Sequence, residues 1–179
     1  MAEKSELAEL VPEAKYIEDV AAFVQDRPVD EVLAEIRETL QRYSYVLQEV
    51  VQKRQRLTIK EPEIRKCLDS VDLLIHQREA GAESTLVDFS LSDQVYARAK
   101  LRDVDSVGLW LGAGIMVEYS LEEAKNLLEN QLEGCRAQLS ASQTDFDYAR
   151  DQVTTTEVSL ARVYNYDVEK RKKAKEGAQ

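Results

Sequence analysis

Apolar residues recur along this chain with two different periods. Leu33, Ile36, Leu40, Tyr43, Leu47, Val50, Arg54, Leu57, Glu61, Ile64, Leu68, Val71, Ile75 and Arg78 follow steps of three and four without a slip, and only Arg54, Glu61 and Arg78 are polar. A second series runs Leu121, Lys125, Leu128, Leu132, Cys135, Leu139, Ser142, Phe146, Ala149, Val153, Thr156, Leu160, Val163 and Asp167. Alternation sustained beyond three or four heptads points to coiled coil rather than to an ordinary amphipathic helix. Each series predicts a helix of about 45 to 50 residues, or about 70 Å at the helical rise. So narrow a stripe cannot bury itself, and the simplest partner for each helix is the other, folded back antiparallel. That register sets Leu33 near Asp167, Ile75 near Lys125 and Cys67 near Cys135. Pro62 removes one backbone hydrogen bond and predicts a kink in the first helix.

Between the two series the period shortens to two. Val87, Phe89 and Leu91 alternate with polar neighbours, as do Val95, Ala97, Ala99 and Leu101; Val107, Leu109 and Leu111 follow, then Ile115, Val117 and Tyr119. These segments read as four short strands forming two hairpins, with turns at Ser92–Asp93, Arg102–Asp105 and Gly112–Gly114. The fold class is α+β, mainly α: a long antiparallel two-helix coiled coil with two β-hairpins inserted between the helices. The predicted division is an N-terminal extension over 1–28 carrying a short helix with Tyr16, Ile17, Val20 and Phe23, a helix over 29–80, hairpins over 81–120, a helix over 121–172 and a flexible basic tail over 173–179.

The glycines of GLWLGAGIMVEYSLEEA, residues 108–124, invite comparison with phosphate-binding loops, which lead directly into a helix N-terminus. Here the strand-like IMVEY follows the glycines instead. The helix begins only after Ser120, where Ser120 and Glu123 form the capping-box pattern. No Gly-Lys-Ser/Thr follows, so the glycines are read as a hairpin turn, and no cofactor or metal is expected. The single histidine, His76, stands alone on the first helix. Glu122 and Glu123 suit a helix start without catalytic purpose. No catalytic residues are expected, and the chain is not read as an enzyme.

Charged residues make up 32% of the 179, aromatics 7%, with three prolines and six glycines, which agrees with long helices rather than a compact enzyme. A formal net charge of -10 argues against a nucleic-acid partner. No segment approaches the roughly 20 apolar residues of a membrane-spanning helix, and the acidic MAEKSELAEL is not expected to be a signal peptide. Cys67 and Cys135 are expected to be reduced thiols of a cytoplasmic protein. The run KRKKAK reads first as a solvated helix end and only weakly as a nuclear-localisation signal.

The stretches VPEAKYIEDV, LWLGAGIMVEYSLEEAKNLLE and RDQVTTTEVSLARVYNYDV resemble the α-class subunits of prefoldin, and the likeness covers about Val11 to Lys172. The heptads would match any coiled coil, whereas the TTTEV…ARVYN…DV run is specific. The resemblance implies a subunit of a heterohexameric, ATP-independent co-chaperone. In it, hairpins from all the subunits join in a β-barrel body and the coiled coils hang from that body. It implies non-native actin and tubulin as clients, and the cytosolic chaperonin as the receiver of what is held.

The residues support two surfaces on their own account. Two hairpins are too small to bury both their faces, so Val87, Phe89, Leu91, Val95, Val107, Leu109, Trp110, Leu111, Ile115, Val117 and Tyr119 are expected to form an oligomerisation surface. At the helix ends away from the hairpins, Val32, Tyr43, Tyr45, Val163, Tyr164 and Tyr166 exceed what a two-helix seam can use, and they are candidate client-binding tips. Packing within the pair is the competing role, and for Val32 and Tyr43 the stronger one. The alternative to a chaperone subunit is a structural coiled-coil scaffold or adaptor that holds no client.

Overall fold

The computed structural model describes residues 7–25, 27–81 and 83–176. The elements run α1 (Leu7–Leu10), α2 (Val20–Val24), α3 (Val29–Glu79), β1 (Thr85–Ser92), β2 (Val95–Leu101), β3 (Ser106–Gly112), β4 (Ile115–Ser120) and α4 (Leu121–Glu176). They divide into two compact units, one of residues 1–57 and 138–179, the other of residues 58–137.

The heptads dictate the long helices. Every member of the first series from Leu33 to Ile75, and every member of the second from Leu121 to Asp167, is buried or half-buried. Arg78 alone lies exposed, and its guanidinium turns to Glu122. In the 58–137 unit the helix segments are antiparallel, since Arg136 pairs with Glu61 at 3.0 Å and Lys125 with Asp72 at 2.8 Å. In the other unit the same sense holds. Val32, Leu33 and Ile36 share a core with Val163, and the Arg54 guanidinium lies 5.3 Å above the Phe146 ring.

Helix α3 continues through Pro62, because a proline removes a single rung and the bonds on either side carry the helix past it. Two details differ from the sequence expectation. Tyr16 and Ile17 are not helical; only Val20 and Phe23 of the predicted short helix belong to α2. Asp19 fixes where α2 begins by accepting a hydrogen bond from the Ala22 N–H at 3.0 Å. Helix α4 runs on to Glu176, beyond the predicted start of a flexible tail at 173, and residues 177–179 lie outside the described residues. Cys67 is exposed and Cys135 is buried on the seam, and neither forms a disulfide among the described residues.

Candidate functional site: open strand faces and a helix-pair groove

In the 58–137 unit the strands pair only as hairpins, β1 with β2 and β3 with β4. The second hairpin turns where the backbone enters the left-handed region at Gly112 (φ 99°), Ala113 (50°) and Gly114 (77°), conformations that glycine adopts at least cost. The glycine cluster is thus a turn. Helix α4 starts where the sequence places it: the Glu123 N–H donates to Ser120 Oγ at 3.3 Å, and the Ser120 N–H donates to Glu123 Oε2 at 3.1 Å.

Strand alternation sorts the side chains into faces. Val87 and Phe89 lie opposite Ala99 and Ala97, and Leu109 and Val107 opposite Val117 and Tyr119. On the reverse face of the second hairpin Trp110 lies opposite Met116. Gly108 stands beside them, where a Cβ would come within 3.1 Å of Met116 Sδ, a tight contact that the thioether would have to shift to relieve. No residue of the four strands is buried. Val87, Val107, Leu109, Val117 and Tyr119 are half-buried, while Phe89, Leu91, Val95, Trp110, Leu111 and Ile115 are exposed. Leu86, Tyr96 and Met116 are equally open apolar residues that the sequence reading passed over. They sit out of phase with the chosen alternation, and two-faced apolarity was the missed signal.

In the unit of residues 1–57 and 138–179, the candidate tip residues separate. Val32, Val163 and Tyr43 are buried at 0%, 0% and 7% exposure, so packing consumes their surface. Tyr45 and Tyr164 are exposed, and Tyr166 is half-buried beside Val20 and Arg162.

The same unit holds a feature the sequence reading missed. Asp145, Gln152 and Ser159, seven residues apart on α4, are buried beside the apolar seam. The N-terminal segment covers them. Leu7 donates its N–H to Asp145 Oδ1 at 3.5 Å, Ala14 to Gln152 Oε1 at 2.7 Å and Ile17 to Ser159 Oγ at 3.4 Å. In the other sense, Tyr148 Oη donates to the Val11 carbonyl at 2.9 Å, Tyr43 Oη to the Pro12 carbonyl at 3.0 Å and Arg162 to the Glu18 carbonyl at 2.8 Å. Burial raises the phenol pKa of both tyrosines, Tyr148 adding to the shift at Tyr43 and Glu13 to that at Tyr148, which keeps both hydroxyls protonated as donors. Among the described residues, no group of three or more His, Cys, Asp and Glu converges as a metal site would. His76 is exposed on α3.

Comparison with known proteins gives these features a setting. The model of the Prefoldin family, described as "Prefoldin subunit", matches residues 43–166. Human prefoldin subunit 3 is 39% identical over 166 residues, covering 91% of this chain and 84% of that protein. A probable prefoldin subunit 3 of Schizosaccharomyces pombe is 41% identical over 143 residues, covering 80% and 83% respectively. A filamentous PFD of Methanocaldococcus jannaschii, solved by cryo-electron microscopy, superposes with a TM-score of 0.51 at 16% identity, over 66% of this chain and 94% of that one, a likeness of fold.

Proposed function

This chain belongs to the prefoldin family as a homologue of its subunit 3, and from that premise we propose how its two surfaces divide the work of a prefoldin chaperone subunit. The hairpins join those of other prefoldin subunits, in a heterohexamer of two α-class and four β-class chains. The helix pairs hold non-native proteins, actin and tubulin among them, and release them to the cytosolic chaperonin. The subunit works in the cytoplasm by binding alone, with no catalytic step and no nucleotide. At the tip, Tyr45, Tyr164 and Tyr166 offer the contact surface, while Val32, Tyr43 and Val163 hold the two helices together beneath it.

One observation carries the assembly half of this reading: all four strands lack a buried residue, and apolar side chains stand on both faces of the β3–β4 hairpin. Open strand edges and apolar faces of this kind are covered in a stable protein, by another chain when not by their own. Native mass spectrometry of the chain, purified gently from its own cells, tests it. A six-chain particle with five other small coiled-coil proteins is expected, and the particle suppresses aggregation of chemically unfolded actin. A lone monomer or a homodimer overturns the assembly. A six-chain particle that leaves actin aggregation unchanged leaves a scaffold in place of a chaperone.

A further inference from the structure

Residues 7–18 are held by their backbone. Asp145, Gln152 and Ser159 accept from three of their N–H groups, and Tyr148, Tyr43 and Arg162 donate to three of their carbonyls. The Ser159 hydroxyl reaches a fourth carbonyl, that of Lys15, at 3.5 Å. Among the side chains, Ile17 packs in the core with Val32, Ile36 and Val163, and Leu7, Val11 and Ala14 are half-buried; the remaining side chains of the segment are exposed. Ile17 alone is fully buried, Leu10 is 82% and Tyr16 49% exposed, and among the described residues the polar side-chain anchor is Tyr16 under the Arg162 guanidinium.

Recognition that reads main chain and ignores sequence is what a site for varied polypeptides requires. The spacing supports it. Seven residues of helix advance about 10 Å, and three residues of extended chain advance about 10 Å as well. The N–H groups of Ala14 and Ile17, three apart, therefore meet Gln152 and Ser159, seven apart. An extended segment laid along α4 in the same direction can repeat this step, whereas between Leu7 and Ala14 the segment includes α1 and takes seven residues to pass from Asp145 to Gln152. Beside the segment an open hollow of about 240 Å³, lined by Ala14, Ile36, Tyr43 and Thr156 and by the exposed Glu35 and Thr39, leaves room for a side chain larger than the Ala14 methyl.

We propose that the groove between α3 and α4 in this unit is a binding site for extended polypeptide. Residues 7–18 occupy it as an internal ligand, and a segment of a non-native protein takes their place. The inference rests on the client-holding reading above and deepens it, since it names the main chain as the recognised chemistry and the N-terminal segment as the competitor.

The test uses the full chain in its complex with the substitutions Ala14→Pro and Ile17→Asp. The first removes the N–H that donates to Gln152, and the second places a charge in the core that Ile17 shares with Val32, Ile36 and Val163; helical circular dichroism of the variant, unchanged from the parent, shows that α3 and α4 stay folded. Hydrogen exchange at the amides of residues 15–19 reports whether the segment has left. The synthetic peptide LAELVPEAKYIED, residues 7–19, is the probe added in trans. The expected results are lost protection, peptide binding to the variant but not to the parent, and displacement of unfolded actin by the peptide. The half-saturating concentration of actin falls about tenfold, the change expected when a competitor holds a site about nine-tenths of the time. A segment that stays protected in the variant overturns the proposal, because it is then no exchangeable ligand. So does a segment that leaves while actin binding is unchanged or weaker, or a peptide that binds without displacing actin. If neither parent nor variant holds actin, it is the client-holding reading that fails.

Discussion

Ser142 stands on the α4 seam with its side chain fully buried and, among the described residues, no hydrogen-bond partner for its hydroxyl. An unpaired buried hydroxyl costs on the order of 1 kcal/mol, and alanine is also the better helix former. Ser142→Ala should therefore stabilise the chain by about 1 kcal/mol, read as a rise of roughly 2–4 °C in Tm; a fall would mean that the hydroxyl has a partner. Tyr43 and Tyr148 give a prediction in pH. Their folded-state pKa lies above the ordinary tyrosine value, so the native state holds its protons longer than the unfolded chain does. The resulting stability is complete below about pH 10 and is lost as pH rises through the folded values. Urea unfolding followed from pH 9 upward should show the parent losing stability faster than the Tyr43→Phe, Tyr148→Phe double variant, and parallel curves would sink the assignment. Residues of this kind were poorly legible in the sequence. The twenty-eight positions of the seam declared themselves by spacing, but Asp145, Gln152 and Ser159 fall outside both series, since nothing in a heptad says that a third segment will cover its flank. Their seven-residue interval and their short polar side chains, where coiled-coil flanks usually carry long charged ones, were the available signal.

Among the elements, the long helices and the four strands were readable because each carries its own period and its own stop. The Ser120–Glu123 box ended β4 and began α4 by a mechanism local to four residues. The N-terminal segment was not readable. Its backbone between α1 and α2 is irregular because its hydrogen bonds go to side chains distant in sequence, from Tyr43 to Gln152 and Ser159, and no local propensity records that. Pro62 shows the opposite override. Its local effect is unfavourable, yet α3 remains one element through it. The cost should still be present in the free energy. Pro62 is exposed, so Pro62→Ala changes little besides the backbone. The restored N–H and the relieved clash should stabilise α3 by up to about 3 kcal/mol. Denaturant unfolding measures this directly, and an unchanged midpoint would mean that the helix has already relaxed around the ring.

For the whole molecule, the open hairpins govern. Burying a large apolar side chain is worth about 1.5–3 kcal/mol, and nine large apolar strand residues, from Leu86 and Phe89 to Ile115 and Met116, are exposed in the isolated chain. The chain's formal charge of -10 keeps such a molecule soluble while it waits for partners, but it does not cover that surface. Leu109 and Val117 face each other across the β3–β4 pair and are only half-buried there, so much of their remaining surface is available to another subunit. Replacing both with aspartate puts like charges opposite one another, a penalty of about 1 kcal/mol or less within the hairpin. At an apolar interface the same two charges meet a desolvation penalty several times larger. The Leu109→Asp, Val117→Asp variant should therefore keep its helical circular dichroism nearly unchanged while losing the other prefoldin subunits on native mass spectrometry. Tyr45→Asp, an exposed change on α3, should keep them. Because the helical signal and the particle mass are read on the same sample, misfolding and failed assembly give different results. A complete particle in the double variant would refute the assignment of this hairpin face to the interface, and particle loss in Tyr45→Asp as well would move the assembly contact onto the helices.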